Sequence, residues 1–259
     1  MHRPFTLSAS LAILFGLLYA QLAFANPPPA AMQAGYEHLA FEDRMFSQDN
    51  WTDNVYNLSN ASFGTRTAPI PGETHGVRLT NIKSGFRIAS TPSIWTATTE
   101  HSFLFGYVEA RMRFTPGANG AIENTWGTVF LISEQFLQDF NQVTTASWCE
   151  LDIFEPAKHN KGNFAQHSWT YNGALTGVDN ASFSIQPLLS DPIDGRWHKF
   201  GMLWSPVVVT WYYDDRAVLT VPTYPVCQTQ PAAIILGAGS QLTPPDNQIT
   251  DVDYVQVWQ

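Results

Sequence analysis

Apolar and polar residues alternate through most of this chain, and the three-to-four-residue recurrence of an amphipathic helix is almost absent. The clearest run is Phe103 to Phe114, with Leu104, Val108, Ala110, Met112 and Phe114 on one face and Tyr107, Glu109, Arg111 and Arg113 on the other. A period of two is the mark of a strand with one buried face. Further strands are predicted at Trp126–Ile132, Asn163–Tyr171, Trp197–Trp204, Val207–Tyr213, Ala233–Leu236 and Val252–Trp258, separated by Gly, Pro and Asn clusters. No linker, repeat or charge block interrupts the chain after Phe41. The roughly 220 residues from there to the end suit one all-β domain of two stacked antiparallel sheets.

One stretch breaks the alternation in an informative way. In Glu150-Leu151-Asp152-Ile153-Phe154-Glu155, Glu150 and Asp152 share a face, but Glu155 lies an odd number of residues from both. An ideal strand would turn Glu155 to the apolar side, where an unpaired carboxylate is expensive. A one-residue β-bulge between Asp152 and Glu155 flips the parity and returns all three acids to one surface. Glu150 and Glu155 are then about four strand steps, roughly 13 Å, apart at Cα. Two Glu side chains leaning together leave carboxyls about 5–6 Å apart, the spacing of a retaining glycosidase pair. The competing reading is an exposed acidic strand that merely aids solubility, but like charges crowded on one face repel and gain nothing there.

Composition narrows the partner. With 44% apolar and 14% charged residues the 259-residue chain can build a large core, and a net charge of −9 with only 13 Lys and Arg argues against nucleic acid or an anionic membrane. Nine Trp, nine Tyr and 17 Phe favour β structure and, where exposed, stacking on sugars. Residues 1–25 read as a secretory signal peptide: His2-Arg3, an apolar run from Leu11 to Leu18, and Ala23-Phe24-Ala25 as cleavage site. The mature chain is expected to be secreted and to begin with a disordered lead-in, residues 26–40. Cys149 shares parity with Leu151 and should point into the core. Two buried free thiols are the simpler expectation for Cys149 and Cys227, and a disulfide is the alternative in an oxidising compartment. Four N-x-S/T sequons begin at Asn50, Asn57, Asn60 and Asn180.

Glu-x-Asp-x-x-Glu resembles the signature of glycoside hydrolase family 16 in its bulged form, shared by laminarinases, agarases and carrageenases. Phe41-Glu42-Asp43 with Trp51, Gly106-Tyr107-Val108-Glu109-Ala110-Arg111, Trp126 to Leu131, Trp197-His198 through Trp211-Tyr212-Tyr213-Asp214, and Asp253 to Trp258 are similar, in order and spacing, to other segments of that family. The resemblance implies a β-sandwich jelly roll over residues 41–259 whose concave sheet forms a substrate cleft. It also implies Glu150 as nucleophile, Glu155 as acid/base and Asp152 as the residue between that tunes both, with no cofactor in the chemistry.

His167 shares a face with Trp169 and Tyr171 and matches a His near the reacting sugar in the family, though a satisfied structural His is the plainer reading. Trp126 is a candidate stacking platform for a sugar ring, with core packing as the alternative. Glu42 and Asp253 match positions that could contribute to a structural calcium. Cys149 before the nucleophile, Gly127-Thr128-Val129-Phe130, and the turn Asp214-Asp215 depart from the family pattern. The loop Ala157-Lys158-His159-Asn160-Lys161 adds positive charge that could meet sulfate groups. The expected protein is a monomer acting on polysaccharide, as an endo-hydrolase of β-1,3 or β-1,3-1,4 glucan. Galactan hydrolysis, transglycosylation and a non-catalytic lectin-like sandwich are the alternatives.

Overall fold

A computed structural model of the chain describes residues 26–46, 50–53, 65–81, 95–97, 101–115, 125–126, 129–139, 146–157, 161–171, 175–180, 194–237, 239–240 and 249–259. The strands, in chain order, are β1 (Leu39–Asp43), β2 (Trp51–Asp53), β3 (Thr65–Pro69), β4 (Val77–Asn81), β5 (Trp95–Ala97), β6 (Ser102–Phe103), β7 (Gly106–Thr115), β8 (Thr125–Trp126) and β9 (Val129–Ser133). They continue with β10 (Ala146–Ala157), β11 (Lys161–Tyr171), β12 (Leu175–Asn180), β13 (Trp197–Trp204), β14 (Val208–Tyr213), β15 (Arg216–Pro222), β16 (Ala232–Leu236), β17 (Gly239–Ser240) and β18 (Ile249–Trp258). Two short helices, α1 (Pro29–Gln33) and α2 (Glu134–Asp139), and a 3-10 turn at Pro225–Gln228 complete the described elements.

Two antiparallel sheets form the sandwich that the alternation predicts, in the jelly-roll arrangement that the resemblance implies. The first runs β15-β14-β13-β7-β18-β4-β3, with β1 also paired to β18, and the second runs β12-β11-β10-β9-β16-β5-β2, with β6 paired to β16. Their inner faces make one core, in which Val108, Ala110, Met112 and Phe114 of β7 and Phe200, Met202 and Trp204 of β13 meet Leu131 of β9, Leu151 and Ile153 of β10 and Ile234 of β16. Phe154 lies at the junction, its ring 4.3 Å from that of Phe200 and 5.3 Å from that of Phe114. Burial of these side chains from both sheets is what makes the alternating pattern cooperative.

Three expectations need correction. The predicted strand from Phe103 to Phe114 is two strands in different sheets. β6 pairs with β16 and β7 with β13 and β18, and the chain crosses between them at Leu104, which is exposed, and Phe105, whose φ is 66°. Alternation carries through such a crossing unchanged, so it cannot report it. The predicted strand Trp126–Ile132 likewise divides: Trp126 pairs with Gly239 in a separate two-stranded ribbon, while Val129–Ser133 belongs to the second sheet. The lead-in, finally, is ordered where described. Ala31 of α1 and Tyr36 pack on Tyr107, Trp258, Leu203 and Tyr212, and the Tyr36 hydroxyl donates to the Trp204 carbonyl at 3.3 Å. Pro at the first helical position and this apolar patch on the outside of the first sheet hold the segment in place.

The hairpin between β14 and β15 needs positive φ at both Asp214 and Asp215, 46° and 64°. Asp tolerates that region better than most residues. Asp214 is further held by its carboxylate, which accepts from the Lys199 backbone N–H at 2.9 Å and meets His198 Nδ1 at 2.8 Å. Gly201 is required by close approach, because a Cβ there would lie 2.2 Å from the Tyr107 hydroxyl oxygen.

Candidate active site

β10 supplies the acids and its register shows how. Glu150 faces His167 and Asp152 faces Ala165 on β11; the register then shifts, and Glu155 faces Asn163. Asn163, Ala165 and His167 alternate on one strand, so Glu155 stands on the same face as Glu150 and Asp152. The extra residue is absorbed inward, since Ile153 and Phe154 are consecutive yet both fully buried in the core. A matching shift appears against β9 between Asp152 and Phe154. The bulge frees a backbone carbonyl at Asp152, and the indole of Trp211, reaching from the other sheet, donates to it at 2.7 Å. Trp211 is therefore a supporting residue that sequence reasoning missed. Its only local signal is a core-facing indole N–H that must find an acceptor.

Glu150 and Asp152 sit in an apolar frame. Their partners on β9 are Ile132 and Phe130, flanked in turn by Ala233 and Ile235 of β16, all fully or almost fully buried. The polar contacts come from β11: His167 Nε2 lies 2.7 Å from Asp152 Oδ2, and Trp169 Nε1–H donates to Glu150 Oε2 at 2.6 Å. The two rings stack, 5.3 Å apart and 23° from parallel. Asp152 is buried, and its Oδ1 has no hydrogen-bond partner among the described residues. Glu150 is the neighbour able to supply a proton to it.

Burial, and next the charge of Asp152, push the Glu150 carboxyl up to about 8, partly offset by His167 and the Trp169 hydrogen bond. Glu150 thus holds its proton beside the Asp152 carboxylate, close enough for the proton to pass between them. One ligand atom each from Glu150, Asp152 and His167 lie within 4.8 Å of one another. The Trp169 N–H already occupies Oε2 of Glu150, one of the two carboxylate oxygens that this grouping offers.

The remaining candidates divide. Trp126 lies on β8, which packs against β10, and its side chain is outside the described residues. The same holds for Lys158, His159 and Asn160 and for residues 1–25. No helix among the described residues is long and apolar enough to cross a membrane. The carboxylates considered for calcium already meet protein donors: Glu42 accepts from Arg44 and Gln256, each at 3.0 Å, and Asp253 meets His75 Nε2 at 2.6 Å and Arg111. Asn50, a sequon residue, uses its amide on Asp43 at 3.0 Å.

Cys149 and Cys227 form a disulfide, so the free-thiol expectation is overturned. Both are fully buried, as parity required of Cys149, and their Cα atoms are 4.9 Å apart across 78 residues of sequence. The bridge ties the strand of the acids to the 3-10 turn at Pro225–Gln228, behind the acidic face.

The model of glycosyl hydrolases family 16 matches residues 62–254. No curated protein sequence matches the chain. Among solved structures, the endo-β-1,3-glucanase from Pyrococcus furiosus is 18% identical with a TM-score of 0.58, covering 86% of this chain and 94% of its own. The laminarinase catalytic domain from Thermotoga maritima is 15% identical with a TM-score of 0.55, covering 86% and 98%. A kappa-carrageenase from Zobellia galactanivorans is 16% identical with a TM-score of 0.55, covering 85% and 93%. At these identities the structural neighbours speak for the fold, and the family match over most of the chain speaks for descent: this protein belongs to the glycosyl hydrolases family 16.

Proposed function

We propose that the chain is an exported, retaining endo-hydrolase of β-linked polysaccharide, with β-1,3 or β-1,3-1,4 glucan as substrate. In this reading Glu150 attacks the anomeric carbon, Glu155 protonates the departing oxygen and later activates water, and Asp152 takes up the proton that Glu150 must lose. The observation that carries it is the register shift of β10, which puts Glu150, Asp152 and Glu155 on one face of the second sheet. Retention follows from the expected separation of about 5–6 Å between the two Glu carboxyls, too short to admit a nucleophilic water. Laminarinases and an endo-β-1,3-glucanase among the proteins sharing the fold make glucan the first substrate to try.

The test is reducing-end release from laminarin, lichenan, agarose and carrageenan, with the anomeric form of the first product followed by NMR. A β-configured product from glucan is expected. An α-configured product would overturn retention, cleavage of the galactans alone would overturn the substrate, and binding without cleavage would leave a lectin. Glu155→Ala should slow hydrolysis at least a hundredfold, keep the first step with an activated leaving group, and yield a β-glycosyl azide when azide is added.

A further inference from the structure

We propose that Trp169 is a positioning residue for Glu150, tethering one carboxylate oxygen so that the other is presented to the sugar. The inference rests on the reading of Glu150 as nucleophile. Trp169 lies two residues from His167, the cross-strand partner of Glu150, so it occupies the diagonal place on the same face, within reach of a long side chain. Its N–H donates to Oε2 of Glu150 at 2.6 Å. The indole is itself held in place by its stack on His167, whose Nε2 lies 2.7 Å from Asp152 Oδ2. Trp169 and His167 thus join Glu150 to Asp152 by a chain of contacts across two hydrogen-bonded strands. Rotation of the Glu150 carboxyl breaks the Trp169 contact, and displacement of Trp169 breaks the stack.

The chemistry of indole suits this task. It donates and never accepts, and it does not titrate in the working range, so its polarity towards Glu150 is the same at every step. A Lys or Arg at this place would bring a full charge, which favours the carboxylate strongly and weakens it as a nucleophile. A neutral donor offsets part of the burial of Glu150 and leaves the oxygen that is not tethered, Oε1, for the anomeric carbon. One face of the indole is covered by His167, which separates this role from that of an open stacking platform.

Trp169→Phe keeps an aromatic ring and removes the donor. On a glucan that the wild type cleaves, kcat should fall about 10- to 100-fold with KM within about twofold, and the acid limb of kcat/KM should move to higher pH by roughly half to one unit. The limb moves upward because the lost hydrogen bond favoured the ionised form. Wild-type kcat with an unmoved acid limb would overturn the proposal, as would a raised KM with unchanged kcat, the result for a sugar platform. Should Trp169→Phe fold poorly, replacing Trp169 by 3-benzothienylalanine, which puts sulfur in place of the N–H in the same bicyclic ring, should give the same readings. Carboxyl carbon-13 NMR of Glu150, titrated in wild type and variant, reads the tether without turnover. It is expected to show the upward move even if Glu150 proves not to be the nucleophile, and an unchanged titration would overturn the tether itself.

Discussion

The two outward faces of the sandwich both carry carboxylates among aromatic rings, and they treat them in opposite ways. On the first sheet and its turns four aspartates sit beside basic side chains: Asp251 is fully buried between Arg78 and Arg113, Asp253 meets His75 and Arg111, and Asp194 and Asp214 bracket His198. Burial works against the charges on Asp194 and Asp214, but hydrogen bonds from Arg196 and from His198 outweigh it and hold both below the ordinary range. On the second sheet Glu150 and Asp152 face each other, with a neutral indole and one imidazole for support, and Glu150 is pushed up instead. Burial alone does not make that difference. Glu109, on the first sheet, is also raised, chiefly by burial with a smaller push from the charge of Asp215, while hydrogen bonds from Tyr254 at 2.8 Å and Tyr107 at 3.3 Å and the charge of Lys199 work against it. What sets Glu150 apart is a like charge close enough to rank next after burial, inside an apolar frame and without a lysine to offset it.

If the comparison holds, variants on the second sheet should change turnover and variants on the first should change stability. The largest effect is expected for Glu150→Gln, with loss of reducing-end release by more than about a thousandfold. Its stability should rise. Between about 4.5 and about 8 the unfolded chain releases a proton that the folded chain keeps, so Glu150 costs stability increasingly through that window. Removing the titration should raise the unfolding free energy at pH 7 by on the order of 1–2 kcal/mol, read from denaturant melts. Wild-type turnover in this variant would dissolve the distinction between the faces.

Asp251→Ala should do the reverse. It strands two guanidinium groups that are about three-quarters buried, at a cost of about 2–4 kcal/mol, with turnover per folded molecule unchanged. Turnover lost in proportion beyond the folded fraction would show that the faces are coupled.

Burial works against the charge on His198, but its hydrogen bonds to Asp214 and Asp194 outweigh that and raise it above the ordinary imidazole range. Its contribution is fully present below about pH 6.5 and is lost as pH rises through the raised folded-state value. His198→Gln should flatten the stability difference between pH 6 and pH 9 by roughly 0.5–1 kcal/mol, measured by melts at both.

Much of this was legible in the residues. The alternation marks β7, β11, β13, β14 and β18 to within a few residues, because a half-buried strand imposes its period on the sequence that forms it. The bulge was legible too, since a third carboxylate at odd spacing forces either a buried charge or an inserted residue, and the register contains the inserted residue. Less legible were the places where the chain changes sheet. Phe103 and Gly106 lie three residues apart and pair with β16 and β13 respectively, although the apolar period hardly changes between them.

Which residues alternate, where the alternation slips, and hence which acids share a face can be read along the chain, because these follow from local backbone geometry and the cost of burying a charge. What surrounds those acids comes from strands and turns distant in the chain. The disulfide joins residues 78 apart, the Trp211 donor to the bulge comes from 59 residues away on the opposite sheet, and the Trp169 donor to Glu150 crosses from the next strand. The Glu150 proton is governed by the apolar frame from β9 and β16 and by the charge of Asp152 at its side. Desolvation and through-space charge act over ångströms, not positions in the chain, so no period in the sequence encodes them.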